Sequence, residues 1–536
     1  MTNPDSASPG AIEQSTLESD HHLVIRPIDV QAMMDRYQFS DDARAIVERE
    51  KLLPVGLLNR LQACYPQHSG LMETSPFLFK VGTNYAGLEG FRRVCAILKE
   101  NGIELGKIKE REFYIEVYRF LATSHSLNSI NWDAYETDSV YQLVLPQPGM
   151  IDPEPTMAYV GATNGEERAR IVAEYFERTN PHDGNQQLNK PWFVNEEGQV
   201  EFLDGSQHKY PQCQLVFDTT TQNCFSFCTY CFRHAQVRGD EDMFLQKDID
   251  QLHRYLKLHE EVTDLLITGG DAGFIPANRF EGYIRPIIKD PALGHIRTIR
   301  LGSRALTFHP EMILKSRYDR MLELFDLLYE NGVQLLWMAH FSTPRELLNP
   351  RTIAAIRRLK AHGVTVRSQS PIMNHISLFT DENGRVDVEK SAENWIDLAN
   401  ILAMMGIGFH SMYAARPTGE HHYFTAPLAD IERVFNRIYR SLSSINRPSR
   451  HITMTISAGK VAILGTSIIN GEKCFALQFN ESRNMEWMDR VFHARYDEKQ
   501  NKINLLLPFD TEKFFYEDEL EQIEKELSEA LRRNLA

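Results

Sequence analysis

The sequence predicts an α/β protein centred on a partial (β/α)6 TIM-like barrel, with a helical N-terminal domain before it and a C-terminal α+β extension after it. Three observations carry that expectation. From residue 213 short continuous apolar runs alternate with amphipathic segments, glycines such as Gly332 and Gly363 close those segments, and six such units follow in series. Strands apolar on both faces belong to parallel sheets covered by helices. Six units fall short of the eight of a closed barrel, and a doubly wound sheet is the alternative.

In chain order, residues 1–22 read as a disordered tail with neither a basic n-region nor an apolar stretch, so no secretory signal is expected. Residues 23–140 show helical spacing, as in ARAIVEREKLLPVGLLNRL and FRRVCAILKENG, and no notable strand alternation. Residues 141–210 are rich in Pro, Gly and Asn and read as a connecting arm with one helix near 164–178. The barrel occupies 211–442, with runs at 214–217, 264–267, 296–301, 333–338, 364–366 and 407–412. Helices between them carry stripes such as Met321, Leu324, Phe325, Leu328 and Ile353, Ile356, Leu359. The extension, 443–536, holds the strand-like ITMTI, VAILG and CFALQF and a closing helix with Leu520, Ile523, Leu527 and Leu531 on one stripe. Functional residues are then expected at the C-terminal ends of the barrel strands.

Composition narrows the partners. A formal charge of −15 argues against nucleic acid, whose phosphates need a basic face. No apolar run approaches the ~18 residues of a membrane span. Of seven cysteines, Cys64, Cys95, Cys213 and Cys474 are scattered, while Cys224, Cys228 and Cys231 crowd together. Without an export signal a reducing cytoplasm is expected, where such a trio points to a metal or cluster before a disulfide.

The trio lies in Asn223-Cys-Phe-Ser-Phe-Cys-Thr-Tyr-Cys-Phe-Arg233, directly after the first barrel strand. Three thiolates spaced C-x3-C-x2-C can ligate three irons of a 4Fe-4S cluster and leave the fourth open. The competing reading is a structural Cys3His zinc site completed by His234. After the second strand comes Thr268-Gly-Gly-Asp271. Its glycines allow a close backbone approach and its carboxylate can accept from an ammonium.

This loop and turn resemble the radical SAM superfamily, in which S-adenosylmethionine (SAM) chelates the open iron and yields a 5′-deoxyadenosyl radical. The resemblance implies Cys224, Cys228 and Cys231 as cluster ligands. It sets Tyr230 near the adenine and gives Gly269, Gly270 and Asp271 to SAM. It narrows to the lysine 2,3-aminomutase family through His208-Lys-Tyr-Pro211, Arg300-Leu-Gly-Ser-Arg304, His340-Phe341 with Pro344, Ser368-Gln-Ser370, the 413–424 stretch and Ser457-Ala-Gly-Lys460. The match covers roughly 150–465, with Ser303, His340 and Gln369 implied as further cofactor contacts. Residues 1–140 look unrelated to the active site.

In that family a lysine in a Gly-rich loop beyond the barrel holds pyridoxal 5′-phosphate (PLP), and Lys460 alone stands in that context. Its apolar flank, 461–464, predicts partial burial, a depressed pKa and a neutral nucleophile. This is no Walker A loop, since Met454 occupies the place of the first glycine. The family arginine that helps hold the PLP phosphate aligns with Cys213, so Lys209 or another arginine must serve. The zinc-binding cysteines of some members are missing, and no zinc is expected. Arg233 falls where the family pairs an arginine with the substrate carboxylate. The two aspartates that hold lysine's distal ammonium align with Arg416 and Thr453. An arginine there repels an ammonium and attracts a carboxylate, which predicts a non-lysine, acidic substrate; the alternative pairs Arg416 with Glu420 or a cofactor phosphate. His421, His422, His21 and His22 read as surface or loop residues.

The sequence thus predicts a cytoplasmic radical SAM enzyme, a PLP-dependent aminomutase of an amino acid, fed by a flavodoxin- or ferredoxin-type reductant and free to form a homo-oligomer. Its rivals are a PLP-independent radical SAM enzyme on another small molecule and a non-catalytic iron–sulfur or zinc protein.

Overall fold

The computed structural model describes residues 27–535 except 69–70, 72–75, 180–185, 240–242 and 417–418. The expected tail, with His21 and His22, lies outside the described residues.

One sheet of eleven strands organises the chain, its order following the sequence from β1 to β11. These are β1 Ser206–Tyr210, β2 Cys213–Phe217, β3 Asp264–Thr268, β4 Thr298–Gly302, β5 Gln334–Ala339, β6 Thr365–Ile372, β7 Gly408–Ala414, β8 Ile452–Thr455, β9 Gly459–Ile469, β10 Glu472–Ser482 and β11 Val491–Arg495. Strands β2 to β8 pair in parallel, with Val216 beside Ile267, Ile267 beside Leu301 and Leu301 beside Trp337. All six expected strands are therefore present. A seventh, β8, extends the parallel set, with Tyr413 beside Thr453, before β9 to β11 turn antiparallel.

The apolar runs are continuous because both faces of each strand are used. On β3, Leu265 and Ile267 are fully buried on one face, while Leu266 and Thr268 line a cavity on the other. On β4 the same split separates Ile299 and Leu301 from Arg300 and Gly302. Residues from β1 to β9 line that cavity, so the sheet curls around it as a partial barrel.

Helices α3 Ile249–Leu258, α4 Ala277–Lys289, α5 Asp319–Glu330, α6 Pro350–Ala361, α7 Val388–Met404 and α8 Leu428–Ser441 connect the parallel strands. Asp248, Asn349 and Asp387 cap α3, α6 and α7 through their side chains, satisfying first-turn N–H groups. Gly332 and Gly363 follow α5 and α6 with φ of 75° and 72°, the left-handed geometry of a helix stop. The chain ends in α9, Glu517–Leu535.

Before the barrel, two helices matter for the site: α1 Ile108–Val117 and α2 Gly165–Arg178. Arg111, Phe113, Tyr114, Ile115 and Val117 are all buried, and the charged Arg111 among them blurs the amphipathic pattern of α1. One correction concerns this region, where Asn84–Ala86 pairs antiparallel with Leu121–Thr123. Strands of three residues are too short for alternation to register.

Candidate active site

The cysteine loop is held from three sides. Behind it, Asp218 is fully buried and accepts from Thr220 N–H (2.9 Å), Arg279 Nε (2.7 Å) and the Tyr283 hydroxyl (2.6 Å), fixing the turn that leads into the loop. Beside it, Gly269 and Gly270 press against 221–223. A Cβ on Gly270 would stand 2.6 Å from the Asn223 carbonyl oxygen and 2.9 Å from Val237 Cγ1. Close packing on the loop thus requires the glycine pair, a demand separate from the ligand approach expected from sequence.

The third side corrects the expectation that the N-terminal residues stand apart from the active site. Phe227 N–H donates to the Leu121 carbonyl (2.7 Å), Thr229 N–H to Leu143 (3.0 Å) and Thr229 Oγ1 to Gln142 (2.7 Å). In return the Tyr114 hydroxyl donates to the Thr229 carbonyl (2.6 Å), and Thr123 N–H to Ser226 Oγ (3.1 Å). A loop too short to fold alone borrows its backbone partners from these segments.

Cys224, Cys228 and Cys231 all line the cavity. Burial, and then the charge each would meet on the others, holds Cys224 well above the ordinary thiol range and Cys231 at about 12. Bound iron cations would offset both the burial and the mutual repulsion. The three thiols share one short loop and one cavity wall. A four-iron cluster bonds each thiolate to a different iron, whereas zinc draws its ligands to one centre. The donor set fits the cluster. His234 instead packs edge-on against the rings of Tyr118 and Phe176.

Asp271 is buried at the end of β3, where its carboxylate accepts from Gly273 N–H (2.8 Å) and Arg304 N–H (2.9 Å). Burial outweighs these donors and that of Ser303 and raises its pKa to about 6. Ser303, Tyr230 and His340 share the cavity wall with it, and the Tyr230 hydroxyl lies 3.3 Å from His340 Nε2. Arg304 binds this group together. Its guanidinium donates to Cys228 Sγ (3.1 Å), the Tyr230 hydroxyl (3.0 Å), the His340 carbonyl (3.2 Å) and Glu346 Oε1 (2.8 Å).

At the other end, Lys460 opens β9 opposite Thr455 on β8, so it belongs to a strand rather than a loop. Its Nζ lies 2.5 Å from Glu481 Oε2 and 5.1 Å from the centre of the Tyr210 ring. The expected depressed pKa is corrected. Burial does oppose the charge, but Tyr413, Glu481 and Tyr210 together outweigh it and raise the pKa. The Tyr210 hydroxyl, on the same wall, is buried without a hydrogen-bond partner. An amine and an orphaned phenol facing one cavity, with cationic side chains near, fit a phosphorylated aldehyde.

Of the two substitutes for the missing phosphate arginine, Lys209 is spent on the Ile456 carbonyl and is not among the lining residues. Burial, then Arg483, Arg416 and Lys460, lowers its pKa strongly. Arg300 does line the cavity, donating to Cys213 Sγ (2.9 Å) and pairing with Asp264 (2.6 Å). Gln369 is also on the wall and accepts from the Tyr413 hydroxyl at 3.4 Å.

Arg233 and Arg416 both line the cavity, and each guanidinium lies over the Phe232 ring, at 5.2 and 5.4 Å. Burial, with Arg416 as a second cation, lowers the Arg233 pKa to about 10. Glu420 Oε1 accepts from the Tyr118 and Tyr175 hydroxyls. Thr453 is buried in β8 and off the cavity wall, which Thr455 reaches instead. His421 also lines the cavity, against its reading as a surface or loop residue. Sequence reasoning assigned no role to Arg304, Glu346 or Tyr413, although Arg304 closes Arg300-Leu-Gly-Ser-Arg304 and Tyr413 opens the 413–424 stretch.

No family model matches the chain. Sequence relatives do. A putative L-lysine 2,3-aminomutase of Aquifex aeolicus is 26% identical over 264 residues, 49% of this chain and 65% of that protein. The L-lysine 2,3-aminomutase of Fusobacterium nucleatum is 23% identical over 54% of this chain and 61% of its own. A glutamate 2,3-aminomutase of Clostridioides difficile is 28% identical over 32% of this chain and 37% of its own. The chain spans less than two thirds of each of these relatives. Among solved structures, Streptococcus suis SuiB bound to S-adenosylmethionine covers 44% of this chain and 48% of its own at 15% identity and a TM-score of 0.30. A radical SAM methyltransferase from Sphaerobacter thermophilus covers 69% and 94% at 12% identity and 0.29. Superpositions this loose do not define the fold. The cysteine loop, the Gly-Gly-Asp turn and the sequence relatives define the class as radical SAM. Within it, the chain is a divergent relative of the lysine 2,3-aminomutases.

Proposed function

We propose that the protein is a radical SAM, PLP-dependent 2,3-aminomutase acting on an amino acid with an acidic side chain. One observation carries the reading: a single cavity of about 330 Å³ is lined by the cysteine trio, Asp271, Lys460, Arg233 and Arg416. When bound, the cluster with SAM supplies the hydrogen-abstracting radical, and PLP a π-system that spreads the unpaired electron.

The chain's own residues do the rest. Asp271 accepts from the SAM ammonium, and Arg233 grips the substrate α-carboxylate. Arg416 faces the substrate's far end. There it would repel a lysine ammonium by about 4 kcal/mol at 4 Å for an effective dielectric of 20, and attract a carboxylate as strongly. A matched relative that bears the name glutamate 2,3-aminomutase supports the acidic class. Lys460, ion-paired with Glu481 at 2.5 Å, would hold the aldehyde cofactor. That same ion pair favours a second reading, a PLP-independent enzyme in which Lys460 stays charged.

Anaerobic reconstitution tests both. The protein should take up about four irons and cleave SAM reductively, and Cys224→Ala, Cys228→Ala or Cys231→Ala should abolish cleavage. Borohydride reduction in the presence of PLP should label Lys460 in wild type and leave Lys460→Ala unlabelled. Absence of label in both gives the second reading. Turnover of lysine above glutamate and aspartate overturns the acidic substrate.

A further inference from the structure

Glu420 is 3% exposed, a carboxylate held away from water among residues from three distant parts of the chain. Its Oε1 accepts from the Tyr118 hydroxyl at the end of α1 (2.9 Å) and from the Tyr175 hydroxyl on α2 (2.8 Å). The turn it begins, 421–424, belongs to the cavity: His421 and Phe424 line it, and the Phe424 ring lies 5.9 Å from that of Tyr230. A further N-terminal tie reaches the same turn, as the Tyr423 hydroxyl donates to Gln142 Oε1 (3.0 Å). The carbonyl of that same Gln142 accepts from Thr229 Oγ1 in the cysteine loop (2.7 Å). The N-terminal helices therefore grip both walls at this end of the cavity, the loop carrying Tyr230 and the turn carrying Phe424.

Burying a carboxylate is costly unless it is hydrogen-bonded, and an apolar side chain would fill the space at lower cost. A device that only filled space would need neither tyrosine hydroxyl. We propose that Glu420, clasped by Tyr118 and Tyr175, is a positioning residue that sets the 421–424 turn against Tyr230 and makes the N-terminal region part of the SAM-binding wall. The inference rests on the reading that this end of the cavity takes the nucleoside of SAM.

The test uses the full-length, anaerobically reconstituted protein. The variants are Glu420→Ala, Glu420→Gln and the double variant Tyr118→Phe/Tyr175→Phe. SAM cleavage gives KM and kcat, and hydrogen exchange reports the 421–424 amides. Losing two hydrogen bonds to the buried carboxyl should raise the KM for SAM about tenfold or more in Glu420→Ala and in the double variant. Iron content and kcat should stay within about twofold of wild type, because neither the cysteines nor the reacting atoms are touched. Glu420→Gln should fall near wild type, since its carbonyl oxygen still accepts both hydroxyls. Amides of 421–424 should exchange faster in the double variant and not in Glu420→Gln. Wild-type KM and exchange in the double variant would overturn the inference. If wild-type protein binds no SAM, the reading beneath falls, and the exchange comparison alone decides the clasp.

Discussion

Glu346→Ala isolates the element that joins the cysteine loop to the barrel. The Arg304 side chain is 10% exposed and that of Glu346 1%, so the ion pair between them, at 2.8 Å, is nearly free of solvent screening. Arg304, like any arginine, keeps its charge at every pH the fold meets. Removing the carboxylate leaves that cation buried with only neutral partners, a loss of about 3–5 kcal/mol. Two further hydrogen bonds disappear, because Glu346 Oε2 accepts from the N–H groups of Ser342 (2.6 Å) and Thr343 (3.1 Å) and closes the capping box of helix Pro344–Leu347. Urea unfolding, followed by far-UV circular dichroism, should show the unfolding free energy fall by an amount in this range, as a lower midpoint at unchanged slope. Iron uptake on reconstitution should fall with it, since Arg304 also holds Cys228 and Tyr230. A loss under about 1 kcal/mol, with normal iron uptake, would refute the argument that Glu346 neutralises Arg304.

Gly270→Ala should cost about 1–3 kcal/mol and lower iron content with the circular dichroism retained, because the new Cβ displaces Asn223, the residue before Cys224. Arg416→Ala should lower kcat/KM for glutamate about 10- to 100-fold, the worth of one charge-assisted bond, and leave lysine turnover equal or higher in a competition assay. Burial lifts the Glu420 carboxyl from 4.5 to about 7, with Asp152 adding to the rise and Tyr175 and Tyr118 opposing it; His422 Nδ1 lies 3.5 Å away. Between about pH 4.5 and 7 the native state keeps a proton that the unfolded chain has released, so stability falls as pH rises through that window. Asp271, raised to about 6, acts in the same direction. Urea midpoints at pH 5 and pH 7.5 should differ less in Glu420→Gln than in wild type.

What the sequence by itself determined is local. The barrel was legible in the apolar runs of β2 to β7, because a strand sandwiched between helices and a cavity has no polar face to interrupt it. The cysteine spacing and Thr268-Gly-Gly-Asp271 were legible because each acts within a few residues of chain. β8 was not placed in the parallel set, since four alternating residues, Ile452–Thr455, fit either ladder direction until β7 and β9 flank them.

Tertiary structure decided the rest. Lys460 stands in one cavity with cysteines more than two hundred positions earlier, and its charge is set by Tyr413, Glu481 and Tyr210 rather than by its own apolar flank. Arg300 reaches Cys213, Arg304 reaches Glu346, and Tyr118 and Tyr175 reach Glu420 across 302 and 245 positions. Periodicity records which face of an element is buried, and it is printed in every few residues. Which buried donor meets which acceptor depends on how the sheet curls and what packs on its rim, and no short stretch of chain carries that distance.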